Sequence, residues 1–214
     1  TDTLKRVTLE LGGKSPVVVM PDVDVAEAAP GAAGAIFFNA GQVCVAGSRL
    51  YAHRSIFDQV LEGVAATAPF WAPRPSLDPD AHMGALVSKE QHDRVLGYIE
   101  AGKRDGASVV MGGDAPSSDG GYFVNPTVLV DVNPQMSVVR EEIFGPVVVA
   151  QRFDDLDEVA KAANDTCFGL GAGIWTKDVA TMHKLASKIK SGTVWGNCHA
   201  VIDTALPFGG FKES

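Results

Sequence analysis

Short apolar segments rich in valine and isoleucine alternate with longer segments of helical periodicity along most of the chain. The segment at residues 17–20 is hydrophobic at every position, as expected of a strand that is buried on both faces. Strands that alternate with helices at this spacing usually pair in parallel, because each helix returns the chain to the same edge of the sheet. We therefore predict an α/β fold, with a mostly parallel open sheet and helices on both faces.

Hydrophobic period, capping residues and turn signals set the predicted elements. Ser55 and Ser88 are predicted helix N-caps, and Pro30 with Gly31 is expected to interrupt the first helix. We predict strands at residues 7–11, 17–20, 49–53, 108–111, 124–130, 146–153, 171–175 and 192–195, helices at 25–38, 56–68, 88–103, 155–164 and 178–189, and a turn at 112–121.

Composition excludes several classes of function. The 214 residues carry a formal net charge of -8, and their number favours one domain over two. Nucleic acid and membrane surfaces are not expected as partners, because both attract a basic patch. Three cysteines cannot complete a disulfide framework, and no apolar run is long enough to span a bilayer. Without clustered histidines or paired cysteines we expect no metal site, and we expect a cytoplasmic location.

Cys44 lies in the stretch FFNAGQVCVAGSR, among small and polar residues. Small neighbours leave space beside the sulfur, which a thiol needs when it attacks a carbonyl carbon. Nearby backbone N–H groups could then stabilise the oxyanion that forms. A lone cysteine is also often a small buried hydrophobe, so this stretch alone leaves both roles open.

Two other segments carry carboxylates in predicted loops, and in an open α/β sheet chemistry gathers in the loops beyond the strand ends. Glu10 stands in the apolar run of LELGGKSP, where burial would raise its pKa and suit it as a general base for water. It could equally point to solvent from an edge strand. Glu142 and Phe144, in EEIFGPV, could hold a ribose diol and a flat ring, or they could simply complete a helix end.

The last segment, GTVWGNCHAVIDTALPFGGFK, continues from a predicted strand into an apolar loop. Such a loop could wall a substrate pocket or belong to the core. Its Val201, Ile202 and Phe208 would favour an aromatic or medium-length aliphatic substrate.

Taken together, these four motifs resemble the catalytic half of the NAD(P)-dependent aldehyde dehydrogenases, in the family's order and spacing over nearly all of the chain. The resemblance implies that Cys44 is the catalytic thiol and that Glu10 activates the hydrolytic water. It implies that the nicotinamide half of NAD or NADP is met by Leu11, Gly12, Glu142 and Phe144, and that the substrate pocket is lined by Asn197, Cys198, Ile202 and Phe208.

The same resemblance implies a reaction and its partners. The Cys44 thiolate adds to a small-molecule aldehyde, the hemithioacetal loses hydride to the nicotinamide, and water releases the acid from the thioester. Full-length members of the family form homo-oligomers. The Asn197-Cys198-His199 run is similar to that of phenylacetaldehyde dehydrogenase-like members.

Neither end of the sequence has the features of a natural terminus, so we expect a fragment of a longer protein. The family's coenzyme-binding domain and its final oligomerisation strand are not expected within residues 1–214, which would form the catalytic domain. We therefore expect the chain alone to be weak or inactive as a dehydrogenase. Two other functions remain open: a non-catalytic interaction module, and a cysteine esterase that needs no cofactor.

Overall fold

A seven-stranded sheet runs through the computed structural model, which describes residues 3–117 and 120–214. Its strands stand in the order β3-β4-β5-β2-β1-β7-β8, and all neighbours are parallel except the edge pair β3 and β4. Strands β6 and β9 form a separate antiparallel pair. The strands are β1 (Pro16–Val19), β2 (Arg49–His53), β3 (Ser108–Met111), β4 (Thr127–Val130), β5 (Val147–Phe153), β6 (Phe168–Gly169), β7 (Gly171–Trp175), β8 (Thr193–Gly196) and β9 (Phe211–Lys212).

Helices cover both faces of this sheet, which confirms the predicted fold class. Along β1, Val17 and Val19 pack into one hydrophobic cluster and Val18 into another, as the two-residue period of a strand requires. The first cluster includes residues of α1 to α4, and the second includes residues of α5 and α6. The helices are α1 (Val25–Phe37), α2 (Phe57–Ala66), α3 (Lys89–Arg104), α4 (Ser137–Arg140), α5 (Leu156–Asn164) and α6 (Val179–Lys188).

Most predicted elements are confirmed within a few residues, but three predictions are wrong. Residues 7–11 form no strand, because this exposed segment pairs with no described neighbour. Ser55 does not cap α2; its hydroxyl instead lies 2.8 Å from Nδ1 of His53. Helix α1 continues through Pro30, and Gly31 provides space for Trp175, whose ring would lie 2.3 Å from an added Cβ. The predicted turn at 112–121 lies partly outside the described residues.

Arg49, on β2, joins the loop before β1 to the end of α5. Its guanidinium is buried and donates from Nε to the Lys14 carbonyl at 2.8 Å. Nη1 and Nη2 donate to the carbonyls of Ala162 and Ala163, at 3.0 and 2.8 Å, in the last turn of α5. The C-terminal end of a helix is the negative end of its dipole, so it stabilises this cation without a carboxylate partner.

We predict that Arg49→Lys lowers the free energy of unfolding by about 2–4 kcal/mol, because an ammonium cannot reach three separated carbonyls and leaves some of them unpaired. Urea denaturation measures this change. Arg54→Lys is the matched control, since Arg54 forms an exposed pair with Asp154 and its replacement should change stability little. Equal effects of the two substitutions would contradict the prediction.

Candidate active site

Three of the four sequence motifs meet at one end of the parallel strands. The segment with Glu10 leads into β1, the segment with Cys44 leads into β2, and the segment with Glu142 leads into β5. These strands are parallel, so the motifs lie at their amino ends. Ligands in open α/β sheets usually bind at the carboxyl ends of the strands. This site lies at the amino ends and so departs from that general rule.

Gly12 and Gly13 lie where the three segments touch. The Gly13 N–H donates to Oε1 of Glu142 at 3.0 Å, which joins the first motif to the third. A Cβ on Gly12 would lie 2.3 Å from Oε2 of Glu142, and one on Gly13 would lie 2.1 Å from the Cys44 carbonyl oxygen. The Gly13 position requires glycine because its clash is with backbone, whereas a side chain at Gly12 would displace the Glu142 carboxylate. The structure thus brings Gly12, Glu142 and Cys44 together.

The Cys44 thiol is partly exposed, as a nucleophile must be. Burial raises its pKa, and the nearby carboxylates of Glu10 and Glu142 raise it further. Backbone N–H groups of Val45 and Cys44 act in the opposite direction and lower this pKa, since they donate toward the sulfur. The thiol form therefore predominates at neutral pH, while N–H donors already face the position where a negative charge would develop.

Glu10 lies near enough to Cys44 to influence its titration, but it is exposed. Of the two alternatives left open for Glu10, the structure has the solvent-facing one, because the segment before β1 is exposed and pairs with no described strand. The side chain of Glu10 is therefore open to solvent. Leu11, the next residue, also has an exposed side chain, with 47% of its surface accessible.

Helix α3 holds the loop that carries Glu142 and Phe144. Gln91 donates from Nε2 to the carbonyls of Ile143 and Phe144, at 2.9 and 2.8 Å, and Arg94 donates to the Glu142 carbonyl at 2.8 Å. Phe144 has φ of 58°, a left-handed conformation that is unfavourable for a bulky residue. These hydrogen bonds keep the loop in that conformation and leave the Phe144 ring partly exposed.

The four residues assigned to the substrate pocket are not all brought together. Asn197 bonds the backbone N–H and carbonyl of Thr176, at 2.9 and 3.0 Å, and so fastens the end of β8 to the end of β7. Cys198 and Phe208 pack on the buried cluster of Val45, Leu170 and Trp195, which Cys44 also contacts. Ile202 is exposed.

Sequence reasoning included His199 in the Asn197-Cys198-His199 run but assigned it no role of its own. The ring is largely buried, and its Nε2 lies 2.7 Å from the Val45 carbonyl oxygen, one residue beyond the thiol. A carbonyl can only accept, so Nε2 carries the proton in this contact. Burial lowers the pKa of His199 and keeps the ring neutral. Its position directly after Asn197-Cys198, in a segment already assigned to the site, was the available signal.

An apolar cavity of about 310 Å³ lies beside Cys44. Val43 and Val45, which flank Cys44, line it together with Phe38, Trp71 and His199. Apolar walls with few polar groups are typical of sites for small organic ligands. Among the described residues, no group of three or more His, Cys, Asp or Glu side chains could hold a metal ion, and no helix is long and apolar enough to cross a membrane.

Comparison with known proteins identifies the family. The aldehyde dehydrogenase family model matches residues 1–214. The chain belongs to the aldehyde dehydrogenase family. Its relatives in this family include a putative aldehyde dehydrogenase, DhaS, of Bacillus subtilis (48% identical, covering 99% of this chain and 43% of the relative) and a phenylacetaldehyde dehydrogenase of Pseudomonas fluorescens (46%, covering 99% and 42%).

Solved structures of the same family agree with this fold. An NAD+ complex of an aldehyde dehydrogenase from Bacillus cereus superposes with a TM-score of 0.93 at 47% identity, covering 97% of this chain and 42% of that one. An NAD-dependent aldehyde dehydrogenase from Sinorhizobium meliloti gives 0.95 at 38% identity, covering 99% and 42%. The chain thus spans less than half the length of these aldehyde dehydrogenases.

We predict that His199→Phe slows alkylation of Cys44 about three- to tenfold near neutral pH and moves the pH–rate profile to higher pH. The Val45 carbonyl loses its donor, so the N–H groups that stabilise the thiolate are held less firmly. Iodoacetamide labelling, followed on the Cys44 peptide by mass spectrometry, measures both changes.

His199→Gln is the matched variant, because its amide can still donate to the carbonyl, and it should restore much of the wild-type profile. If the Phe and Gln variants shift the profile equally, His199 does not position the thiol. Circular dichroism checks that both variants fold.

Proposed function

We propose that this chain carries the thiol-bearing half of an NAD-dependent aldehyde dehydrogenase site. The observation that carries the proposal is the junction at Gly12 and Gly13, which places the Cys44 and Glu142 loops in contact. Glu10, two residues before the junction, lies close enough to influence the thiol. Family membership and the NAD+ complex of the Bacillus cereus relative support it.

In the proposed reaction, the Cys44 thiolate adds to the carbonyl carbon of an aldehyde. The oxyanion forms on the oxygen of the attacked carbonyl, and the N–H groups of Cys44 and Val45 beside the sulfur are the donors proposed to stabilise it. Bound NAD supplies the hydride acceptor by which the Cys44 hemithioacetal becomes a thioester. Glu10 then takes a proton from water, which attacks the thioester carbonyl, releases the carboxylic acid and restores the thiol.

The residues present fit the nicotinamide half of this cofactor. The Glu142 carboxylate lies directly against Gly12, where a Cβ would otherwise stand, and it has one oxygen beyond its bond to Gly13. The partly exposed Phe144 offers a flat apolar surface on the same loop. We propose that Gly12, Glu142 and Phe144 hold the nicotinamide riboside, with Leu11 alongside. NADP remains the alternative cofactor.

The proposed substrate is an apolar aldehyde, either aromatic or a medium-length aliphatic. The cavity beside Cys44 supports this choice, because Phe38, Val43 and Trp71 give it apolar walls. The 46% identity to a phenylacetaldehyde dehydrogenase points in the same direction. Free Cys44, Cys167 and Cys198 support a reducing, cytoplasmic setting. The proposed assembly is a homo-oligomer.

Ester hydrolysis by Cys44 without cofactor is a second candidate function, since thiol, N–H donors and Glu10 all lie in this chain. Ester hydrolysis and aldehyde oxidation would both pass through an acyl group on Cys44, so one assay with an ester examines both functions. We predict that 4-nitrophenyl acetate gives a burst of about one nitrophenol per chain, followed by slow turnover. Cys44→Ala should remove the burst. Its full retention would exclude Cys44 as nucleophile, and no burst from the wild-type chain would favour a non-catalytic interaction module.

In the same assay, the Glu10→Gln variant separates the proposed role of Glu10 as general base from that of Cys44 as nucleophile. The burst should remain, while steady turnover falls at least about tenfold because water loses its base. Alkylation of Cys44 should become faster at neutral pH, since removing a nearby negative charge lowers the pKa of the thiol. Glu27→Gln, on α1, is the control and should alter neither rate.

With NAD and phenylacetaldehyde we predict little NADH from this chain alone, because the residues assigned here meet only the nicotinamide half of the cofactor. The rate of NADH formation is measured by its absorbance. Rapid formation that depends on Cys44 would overturn this expectation and strengthen the dehydrogenase assignment. NADH formed equally by Cys44→Ala would contradict that assignment.

A further inference from the structure

The turn that opens the nucleophile loop, residues 39–45, has an uncommon backbone. Asn39, Ala40 and Gly41 follow one another with φ of 52°, 53° and 70°, all in the left-handed region. Asparagine and glycine adopt this conformation readily, whereas the Cβ of Ala40 makes it unfavourable. The turn also packs against the EEIFGPV loop, because a Cβ on Gly41 would lie 2.0 Å from the Gly145 carbonyl oxygen. Contacts from elsewhere are therefore needed to hold this turn in place.

Gln42 supplies such contacts with both its backbone and its side chain. Its backbone N–H and its Nε2 donate to the Asn39 carbonyl, at 3.1 and 3.2 Å, and its own carbonyl accepts from Asn39 Nδ2 at 3.0 Å. Its Oε1 accepts from the Val87 N–H at 2.9 Å, which joins the turn to the chain just before α3. One amide side chain thus closes the turn and also fixes it to the start of a helix.

The same end of α3 holds the EEIFGPV loop. Gln91, in the first turn of that helix, donates from Nε2 to two backbone carbonyls of the loop. Gln42 and Gln91 therefore attach two loops of the candidate site to one rigid element. Cys44 follows Gln42 by only two residues, so a shift of the turn would also move the backbone N–H groups beside the sulfur.

We propose that Gln42 is a positioning residue for Cys44. By holding the turn against α3, it keeps the N–H groups of Cys44 and Val45 directed toward the sulfur, where the oxyanion of an acylation step needs donors. This inference rests on the proposed function, because it takes Cys44 as the nucleophile. Gln42 itself transfers no proton, so its loss should slow acylation and leave the course of the reaction unchanged.

Two reactions of Cys44 separate positioning from ionisation. Acylation by 4-nitrophenyl acetate forms an oxyanion and alkylation by iodoacetamide forms none, while both consume the thiolate. The ratio of the two rates at one pH therefore cancels any change in the pKa of the thiol. Gln42→Met keeps the length of the side chain and loses both of its hydrogen bonds, so we expect this ratio to fall about tenfold.

Gln42→Glu removes only part of the anchor. Its carboxylate keeps an oxygen for the Val87 N–H but cannot donate to the Asn39 carbonyl, so the ratio should fall about threefold. Gln135→Met, at an exposed glutamine elsewhere, is the matched control and should keep the wild-type ratio. An unchanged labelling rate of the exposed Cys167, together with circular dichroism, checks that the variants fold.

The outcomes distinguish this role from the proposed function. An unchanged ratio in Gln42→Met, beside a normal wild-type burst, overturns the role of Gln42 and leaves the proposed function standing. Equal losses in Gln42→Met and Gln135→Met overturn it as well. Absence of the burst from the wild-type chain overturns the proposed function, and this inference with it. If Gln42→Met does not fold, Gln42→Glu decides, and an unchanged ratio in that variant overturns the proposal.

Discussion

The contact between Gly13 and the Cys44 peptide is the constraint on which the candidate active site depends. The position of a Cβ on Gly13 is occupied by the Cys44 carbonyl oxygen, and the Gly13 N–H is bonded to Glu142. One residue therefore sets the distance between the nucleophile loop and the loop proposed to bind the cofactor. Any side chain here would separate the two loops, however well each of them folded by itself.

Electrostatics at this junction are not those of an activated thiol. Two carboxylates, from Glu10 and Glu142, lie near Cys44, and with burial they raise its pKa. Only the N–H groups of Val45 and of Cys44 itself act in the other direction. The thiol form is therefore favoured near neutral pH, and the two carboxylates beside the sulfur oppose its ionisation.

The fold could be predicted from the sequence because its signals are local. Residues 17–20 are apolar at every position and Ser88 precedes a regular helical period; both features depend only on near neighbours along the chain, and both are confirmed. Residues 7–11 have the composition of a strand but no partner to pair with, and pairing is not a local property. Whether Glu10 would be buried or exposed stayed open in the sequence for the same reason.

The residues of the candidate site could be proposed from the sequence more easily than their arrangement in space. Four motifs in order indicated the family, but no pattern along the chain showed that three of them would meet at the amino ends of the strands. His199 was missed because its partner is a backbone carbonyl 154 positions away, which carries no sequence signature. Asn197 matched the expected motif, yet its amide is used by the Thr176 backbone instead.

Helix α3 connects a locally predictable feature, its N-cap, with the loop of the candidate site. Gln91 is the third residue after the predicted cap Ser88, and its backbone N–H donates to the Ser88 hydroxyl at 3.1 Å. Its side chain, however, reaches across 53 positions to hold the Phe144 carbonyl. The EEIFGPV loop therefore cannot be regarded as a portable unit: grafted onto another scaffold without this amide, its aromatic residue would relax out of the left-handed conformation and the loop would lose its shape.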